Sequence, residues 1–251
     1  MNFHTFGNPA NPRIILIHGT LTPWQIWGEQ LEHFSGKYHV TAVALDAHEE
    51  DKTTELTSIQ QQAEQIENYI TDNCDGEVFA LCGISMGGAI AGIIWQNGIV
   101  GIKNLIMDSA PILPMGKIPA MVMTNNYLSI IRKSKKRDPK TIENFKKHFL
   151  PEKYLDAFLK IADNMSEASV KNMIASVCNF RLSANIPESE TRVLYMHGTK
   201  GTEFFQKKCG IFLKKHYPKS EIYCFSGCGH CEAAIYEPEF WALRVEEFME
   251  E

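Results

Sequence analysis

The feature that most constrains this chain is a short passage where an apolar run turns abruptly into a helix-like one. Val78-Phe79-Ala80-Leu81-Cys82 leads straight into Gly83-Ile84-Ser85-Met86-Gly87-Gly88, and Ala89–Trp95 follows with small and apolar residues. A serine on so sharp a strand-to-helix turn needs small residues two positions to either side, because a Cβ there would strike adjacent backbone. Such a turn projects the hydroxyl outward at a helix N-terminus, where the helix dipole favours developing negative charge. The passage therefore predicts an exposed nucleophile at Ser85. A glycine-rich turn that serves only close packing is the bland alternative.

The rest of the chain supplies a scaffold for such a turn. Apolar runs recur at Arg13–His18, Val40–Leu45, Val78–Cys82, Asn104–Met107, Arg192–Met196 and Glu221–Phe225, without the polar alternation of a half-exposed sheet. Runs of this kind are strands buried on both faces. Between them lie helical patterns such as Thr54–Thr71, with Leu56, Ile59, Ala63, Ile66 and Ile70 at steps of three and four. The alternation predicts an α/β fold with a mostly parallel central sheet flanked by helices. Ligand sites in such sheets lie beyond the carboxyl ends of the strands. One interval breaks the rhythm. Pro111 to Pro187 is too long for an ordinary crossover and carries helical spacing at Lys153–Ala162 and Val170–Phe180. It is expected to be an inserted helical cap, residues 111–187, over a core formed by residues 1–110 and 188–251.

Composition narrows the functional classes. With 251 residues, 44% of them hydrophobic, the chain can bury a sizeable core. Its 25 basic and 30 acidic side chains leave a net charge of −5, which offers little to a phosphate backbone, so nucleic acid is not an expected partner. No run of eighteen apolar residues exists, and stable membrane insertion is not expected. Met1-Asn2-Phe3-His4 carries neither a basic leader nor an apolar stretch, and the seven cysteines are odd in number and irregularly spaced. Both point to reduced thiols and a cytoplasmic location. Cys224, Cys228, Cys231 and His230 fall within eight residues, but no second Cys/His pair stands at zinc-knuckle spacing, so no metal is expected.

A serine hydroxyl needs a base. Of nine histidines, His230 is best placed: Gly227-Cys228-Gly229-His230 directly follows the strand Ile222–Phe225 and precedes the last helix, around Pro238–Phe248. His18 and His197 also end strands before a glycine, a common setting for packed, hydrogen-bonded histidines.

These segments together resemble the α/β-hydrolase superfamily, in its capped serine hydrolase subgroup. Ile15-Leu16-Ile17-His18-Gly19-Thr20 is similar to the family's strand-end His-Gly motif, Gly83-Ile84-Ser85-Met86-Gly87 to its nucleophile elbow, and Gly227-Cys228-Gly229-His230 to its terminal histidine loop. Trp24 and Trp27, followed by Phe34, Tyr38, Asp46 and His48, resemble its first helix and following strand, and the single strand-like segment Phe3–Phe6 suggests an abbreviated antiparallel start. The resemblance implies an oxyanion hole of two backbone N–H groups, from Met86 and from Thr20 or its neighbour Leu21. It implies an aspartate at position 201, but that residue is glycine. Glu203, two residues on, and Asp108, at the end of the preceding strand, are the substitutes; a Ser-His dyad or an inactive site is the remaining alternative.

The implied activity is hydrolysis of a carboxylic ester, thioester or amide through an acyl-enzyme on Ser85, with no cofactor. Hydrolysis of a carbon–carbon bond on the same fold, or a non-catalytic ligand-binding member, are the alternatives. Met115, Met121, Met123, Tyr127, Ile130 and Ile131 either line a lid over an apolar acyl or aromatic group of a small-molecule substrate or form a satellite core. Arg132-Lys133-Ser134-Lys135-Lys136-Arg137 reads as a solvated face, or as an attraction for anionic substrates such as acyl-CoA or for a membrane surface.

Overall fold

Each apolar run becomes a strand in the computed structural model, which describes residues 1–187 and 189–250. The strands are β1 (Asn2–Phe6), β2 (Arg13–Ile17), β3 (His39–Ala44), β4 (Glu77–Ile84), β5 (Gly101–Asp108), β6 (Arg192–His197) and β7 (Glu221–Cys224). They form one sheet in the order β1-β3-β2-β4-β5-β6-β7, parallel throughout except for β1, which runs antiparallel to β3. Ile14, Ile15, Leu16 and Ile17 of β2 are all fully buried, which is why the run needs no polar alternation.

Helices cover both faces. Successive side chains of a strand point to opposite faces, and at the end of β5 Met107 meets Gly92 of α3 (Met86–Asn97) while Asp108 meets Trp241 of α10 (Pro238–Glu250). On one side His33 of α1 (Gly28–Phe34) meets Glu246 of α10, Gln30 donates to the Ala234 carbonyl just before α10, and Trp27, ahead of α1, packs on Trp241. On the other, α2 (Ile59–Asn73) lies beside α3, where Asn97 donates to Glu67.

Chain order reverses at β2: β3 lies on one side of it and β4 on the other. A reversal of this kind opens a crevice at the carboxyl ends of the two central strands, where both connections leave in opposite directions. The loop from His18 and the turn at Ser85 both leave the sheet there.

Helix α2 begins five residues later than its apolar spacing suggests. Ser58 accepts from the Gln61 N–H and caps it. Thr54 is held instead in the loop after β3, where its hydroxyl accepts from Ala47 N–H and donates to Glu49.

Between β5 and β6 lie α4 (Lys117–Lys135), α5 (Pro139–His148), α6 (Leu155–Asn164) and α7 (Glu167–Asn179). The second of the expected helices starts at Glu167 because Ser166 caps it, and the first starts at Leu155, after a single 3-10 turn at Glu152–Tyr154. Within these helices Phe145 stacks on Phe158 and Val170, Met173 and Ile174 are buried, in an apolar core continuous with that of the sheet layer. They attach to the sheet layer by polar contacts: Ser169 and Ser176 accept from the Leu56 and Ile59 N–H groups, and Asn164 donates to the Glu49 and Glu50 carbonyls. The expected boundary at 188 and the terminal residue 251 lie outside the described residues.

Candidate active site

Ser85 is built on strained backbone. Its φ of 51° and ψ of −117° place a non-glycine residue where L-amino acids are rarely found. The turn is held by Ser85 N–H donating to the Asp108 carbonyl at 2.8 Å, and by α3, which starts at the next residue. Two glycines make it sterically feasible. A Cβ on Gly83 would run into the Gly87 carbonyl, and a Cβ on Gly87 would run into the Ile17 and His18 carbonyls. The β4–α3 turn is thus packed directly against the end of β2.

His230 comes to Ser85 from 145 residues away. Its Nε2 lies 2.9 Å from Ser85 Oγ, and its Nδ1 lies 2.8 Å from Glu203 Oε1. The ring is 39% exposed, so the pair faces solvent, whereas the Glu203 side chain is fully buried. The loops carrying these residues are fastened together: the Thr199 and Lys200 N–H groups both donate to the Cys228 carbonyl, at 2.8 and 3.0 Å.

Glu203 opens α8 (Glu203–His216). Gly201 turns the chain at φ 61°, and the helix then starts with the glutamate directed at the ring. Its other oxygen, Oε2, accepts from Gly198 N–H at 2.8 Å and lies 3.0 Å from Ser109 Oγ. Burial works against the charge, but His230, Gly198 N–H and Ser109 outweigh it, and the carboxyl stays below its ordinary value. His230 is displaced the other way. Desolvation pulls it down, but the neighbouring Cys231 and Glu203 hold it well above the usual imidazole value. Burial keeps the Cys231 thiol above its own ordinary value, hence neutral at pH 7, so the charge that acts on the ring is that of Glu203.

Asp108 does not reach the imidazole. Its Oδ2 accepts from Trp241 Nε1–H at 3.0 Å, and its Oδ1 lies 3.0 Å from Ser109 Oγ. Only 1% exposed, its carboxyl is pushed up to about 6, by burial first. Ser109 Oγ thus stands between two buried carboxylates, a role its sequence position does not announce. His18 and His197 are likewise elsewhere. Each directs Nδ1 at the carbonyl of the glycine that follows it, at 2.8 and 2.6 Å, as packed strand-end histidines do.

Of the amides considered for an oxyanion site, Met86 N–H belongs to the first turn of α3, which leaves it without an intrahelical acceptor. The Leu21 N–H is already engaged, donating to His48 Nε2 at 3.1 Å. Thr20 N–H makes no such bond, and it follows Gly19, whose Cα lies so near the nucleophile that a Cβ there would sit 3.3 Å from the Ser85 Cβ. His48 was not legible as part of this site: nothing local links it to a loop 27 residues upstream.

The methionine cluster divides. Met115 and Met123 meet the Cys178 thiol at 3.7 and 3.8 Å, while Met121 is 60% exposed and faces away. Tyr127, one turn after Met123 on α4, is pushed up to about 12 by burial, with Cys231 and Cys178 as its titratable neighbours. In the basic run, Arg132 pairs with Glu167 and Arg137 with Asp163, both on the outer surface. Among the described residues no three His, Cys, Asp or Glu side chains converge as a metal site would require, and no helix is long and apolar enough to cross a membrane.

A family model described as "Alpha/beta hydrolase family" matches residues 14–242, nearly the whole chain. The chain belongs to the alpha/beta hydrolase family. That membership makes hydrolysis of a small molecule the activity class. Among curated proteins nothing matches. Solved structures agree on the fold. An alpha/beta hydrolase family protein from Desulfitobacterium hafniense has 19% identity and a TM-score of 0.79, covering 99% of this chain and 100% of that one. A carboxylesterase from Nitrososphaera gargenis has 14% identity and a TM-score of 0.76, covering 99% and 93%. The enol-lactonase from Burkholderia xenovorans LB400 has 14% identity and a TM-score of 0.76, covering 100% and 96%. At these identities the likeness speaks for the fold alone.

Proposed function

We propose that this alpha/beta hydrolase is a serine hydrolase that cleaves a carboxylic ester, with Ser85, His230 and Glu203 as its triad. The observation that carries the reading is the continuous line from Ser85 Oγ to His230 Nε2 at 2.9 Å and from His230 Nδ1 to Glu203 Oε1 at 2.8 Å. Ser85 Oγ attacks the substrate carbonyl carbon while His230 Nε2 takes its proton. Glu203 holds the Nδ1–H tautomer and stabilises the imidazolium that forms. The Met86 and Thr20 N–H groups receive the oxyanion. The tetrahedral adduct then expels the alcohol, which takes the proton from Nε2, and water repeats the sequence to release the acid and free Ser85. Thioesters and amides follow the same course with a different leaving group. Glu203 supplies the carboxylate that Gly201 lacks, which weighs against a non-catalytic binder.

The helices of residues 111–187 act in this reading as a cap. Met115, Met123 and Tyr127 belong to α4 and the strand connection before it, and the nearness of Tyr127 to Cys231 brings that helix to the His230 loop. Thioethers, a thiol and one phenol beside the His230 loop favour an apolar acyl or aromatic group. All seven cysteines are free, in keeping with a reducing, cytoplasmic setting.

The test is covalent. A fluorophosphonate probe should label wild-type protein at Ser85 and leave Ser85→Ala unlabelled; a folded wild-type protein that takes no label ends the proposal. A series of p-nitrophenyl esters of graded chain length, run beside acyl-CoA thioesters, then resolves the leaving group and acyl size. Turnover confined to acetate and shorter esters would argue against an apolar cap pocket.

A further inference from the structure

The connection between β2 and α1 contains a second, hidden histidine device. Leu21 is fully buried, yet it sits at φ 57°, a left-handed conformation that a leucine adopts only when its surroundings impose it. The imposing contact is the bond from its N–H to His48 Nε2 at 3.1 Å. His48 is itself fixed, because its Nδ1 lies 3.0 Å from the Asp46 carbonyl and can only donate to it. This pair of bonds defines one tautomer, proton on Nδ1 and lone pair on Nε2. Burial lowers the ring to about 4, well away from protonation at the pH where an imidazole base works.

The neighbouring bonds engage the residues on both sides of Thr20. The Gly19 carbonyl accepts from the Thr22 hydroxyl at 2.8 Å and from His18 Nδ1–H at 2.8 Å, and His18 Nε2 accepts from Leu45 N–H at 3.2 Å. The two imidazoles lie 4.8 Å apart, so the β2 and β3 loops are joined as one unit. With Leu21 N–H and Gly19 O both engaged, the intervening Thr20 N–H has no bonding partner among the described residues, and it directly follows Gly19, which lies against Ser85.

We infer that His48 is a positioning residue: by accepting the Leu21 amide it aims the Thr20 amide at the oxyanion. The inference rests on the serine hydrolase reading above and extends it to a side chain that touches neither substrate nor nucleophile. Its signature is selective. A loop that drifts costs transition-state stabilisation and spares ground-state binding, so kcat falls while KM holds.

The experiment compares His48→Leu, which removes the acceptor at similar bulk, with His48→Gln, whose amide oxygen can occupy the place of Nε2. His48→Leu should lower kcat about 10- to 100-fold, short of the full loss of an oxyanion donor, with KM within about threefold. His48→Gln should recover kcat to within about fivefold of wild type. Affinity for a boronic acid, which forms a tetrahedral adduct on Ser85, should fall in parallel with kcat/KM. Wild-type kcat in folded His48→Leu, or an equal kcat loss in His48→Gln, overturns the inference. Should the leucine variant not fold, the 15N shifts of His48 in wild-type protein decide instead: a proton on Nε2 is incompatible with the assigned role. Ser85→Ala is the separate control. Activity that survives in it removes the hydrolase reading itself, whereas inactive Ser85→Ala beside fully active His48→Leu removes the role of His48 alone.

Discussion

Two successive strand ends, those of β5 and β6, each deliver a buried carboxylate to the space behind His230, and the two are treated in opposite ways. Glu203 is met by the imidazole, a backbone N–H and a hydroxyl, all of which favour its charge. Asp108 is met by an indole N–H and by a share of that same hydroxyl, with no cation in hydrogen-bond contact. The result is one carboxyl displaced downward and one pushed up to about 6. Burial alone does not decide which carboxylate is the useful anion; the number and sign of its partners do.

The sharpest way to break this contrast is to neutralise each carboxylate in turn. Glu203→Gln keeps the shape but leaves His230 in the wrong tautomer, and kcat should fall about 10³- to 10⁴-fold. Asp108→Asn should stay within about fivefold of wild type. Steady-state kinetics on one activated ester settles it, and comparable losses in the two variants would mean that the carboxylates share the role.

How much of this could be read beforehand follows from how local each piece is. The elbow was legible because Gly83, Ser85 and Gly87 make their steric demand within five residues. His230 was legible because a glycine-rich loop after a strand puts it at the carboxyl edge of the sheet, where Ser85 also had to be. Which of Glu203 and Asp108 meets the imidazole was not legible. It turns on the Gly201 turn, on the helix starting at Glu203 and on Trp241, 133 residues beyond Asp108, claiming the aspartate. That the Leu21 amide is already bonded depended likewise on His48, a long-range partner without a local pattern. Sequence spacing records steric necessity well and hydrogen-bond assignment poorly.

Stability should separate the pair next. Because the folded-state value of Asp108 is raised, the folded protein holds its proton more tightly than the unfolded chain does. Its unfavourable contribution is absent below about pH 4, grows as pH rises through the window up to about 6, and is constant above it. Asp108→Asn removes that penalty. It should unfold at higher denaturant concentration at pH 8, by about 2–3 kcal/mol on the linkage relation, and the difference should shrink toward zero near pH 4. An asparagine variant less stable at pH 8 would show that the Asp108 charge is instead well solvated.

The charge of Glu203 should appear in the pH profile. In the proposed mechanism His230 accepts the Ser85 proton only when neutral, and its raised value then predicts that kcat/KM climbs with pH through a midpoint above the usual imidazole value of about 6.5. In Glu203→Gln the residual activity should show that midpoint displaced downward, because the carboxylate that favours the imidazolium is gone. An unmoved midpoint would separate Glu203 from the titration of the base.

The smallest effect belongs to the hydroxyl between them. Ser109 has one proton and two carboxylate neighbours at 3.0 Å, so it can donate to only one at a time, and its oxygen also accepts from Cys231 N–H at 3.4 Å. In Ser109→Ala, Glu203 keeps both His230 and Gly198 N–H, the two contacts that set its direction. The loss is one hydrogen bond from an uncharged donor, shared with Asp108, to an already well-held carboxylate, worth about 1 kcal/mol, so kcat should fall about two- to fivefold while the acid limb barely moves. Asp108 loses one of its two side-chain donors in the same variant and should become harder to ionise, so the stability gain from Asp108→Asn should be larger in the Ser109→Ala background than in wild type. If instead Ser109→Ala abolishes turnover, the hydroxyl has been serving Glu203 almost exclusively, and the division of labour between the two strand ends is sharper than their equal distances imply.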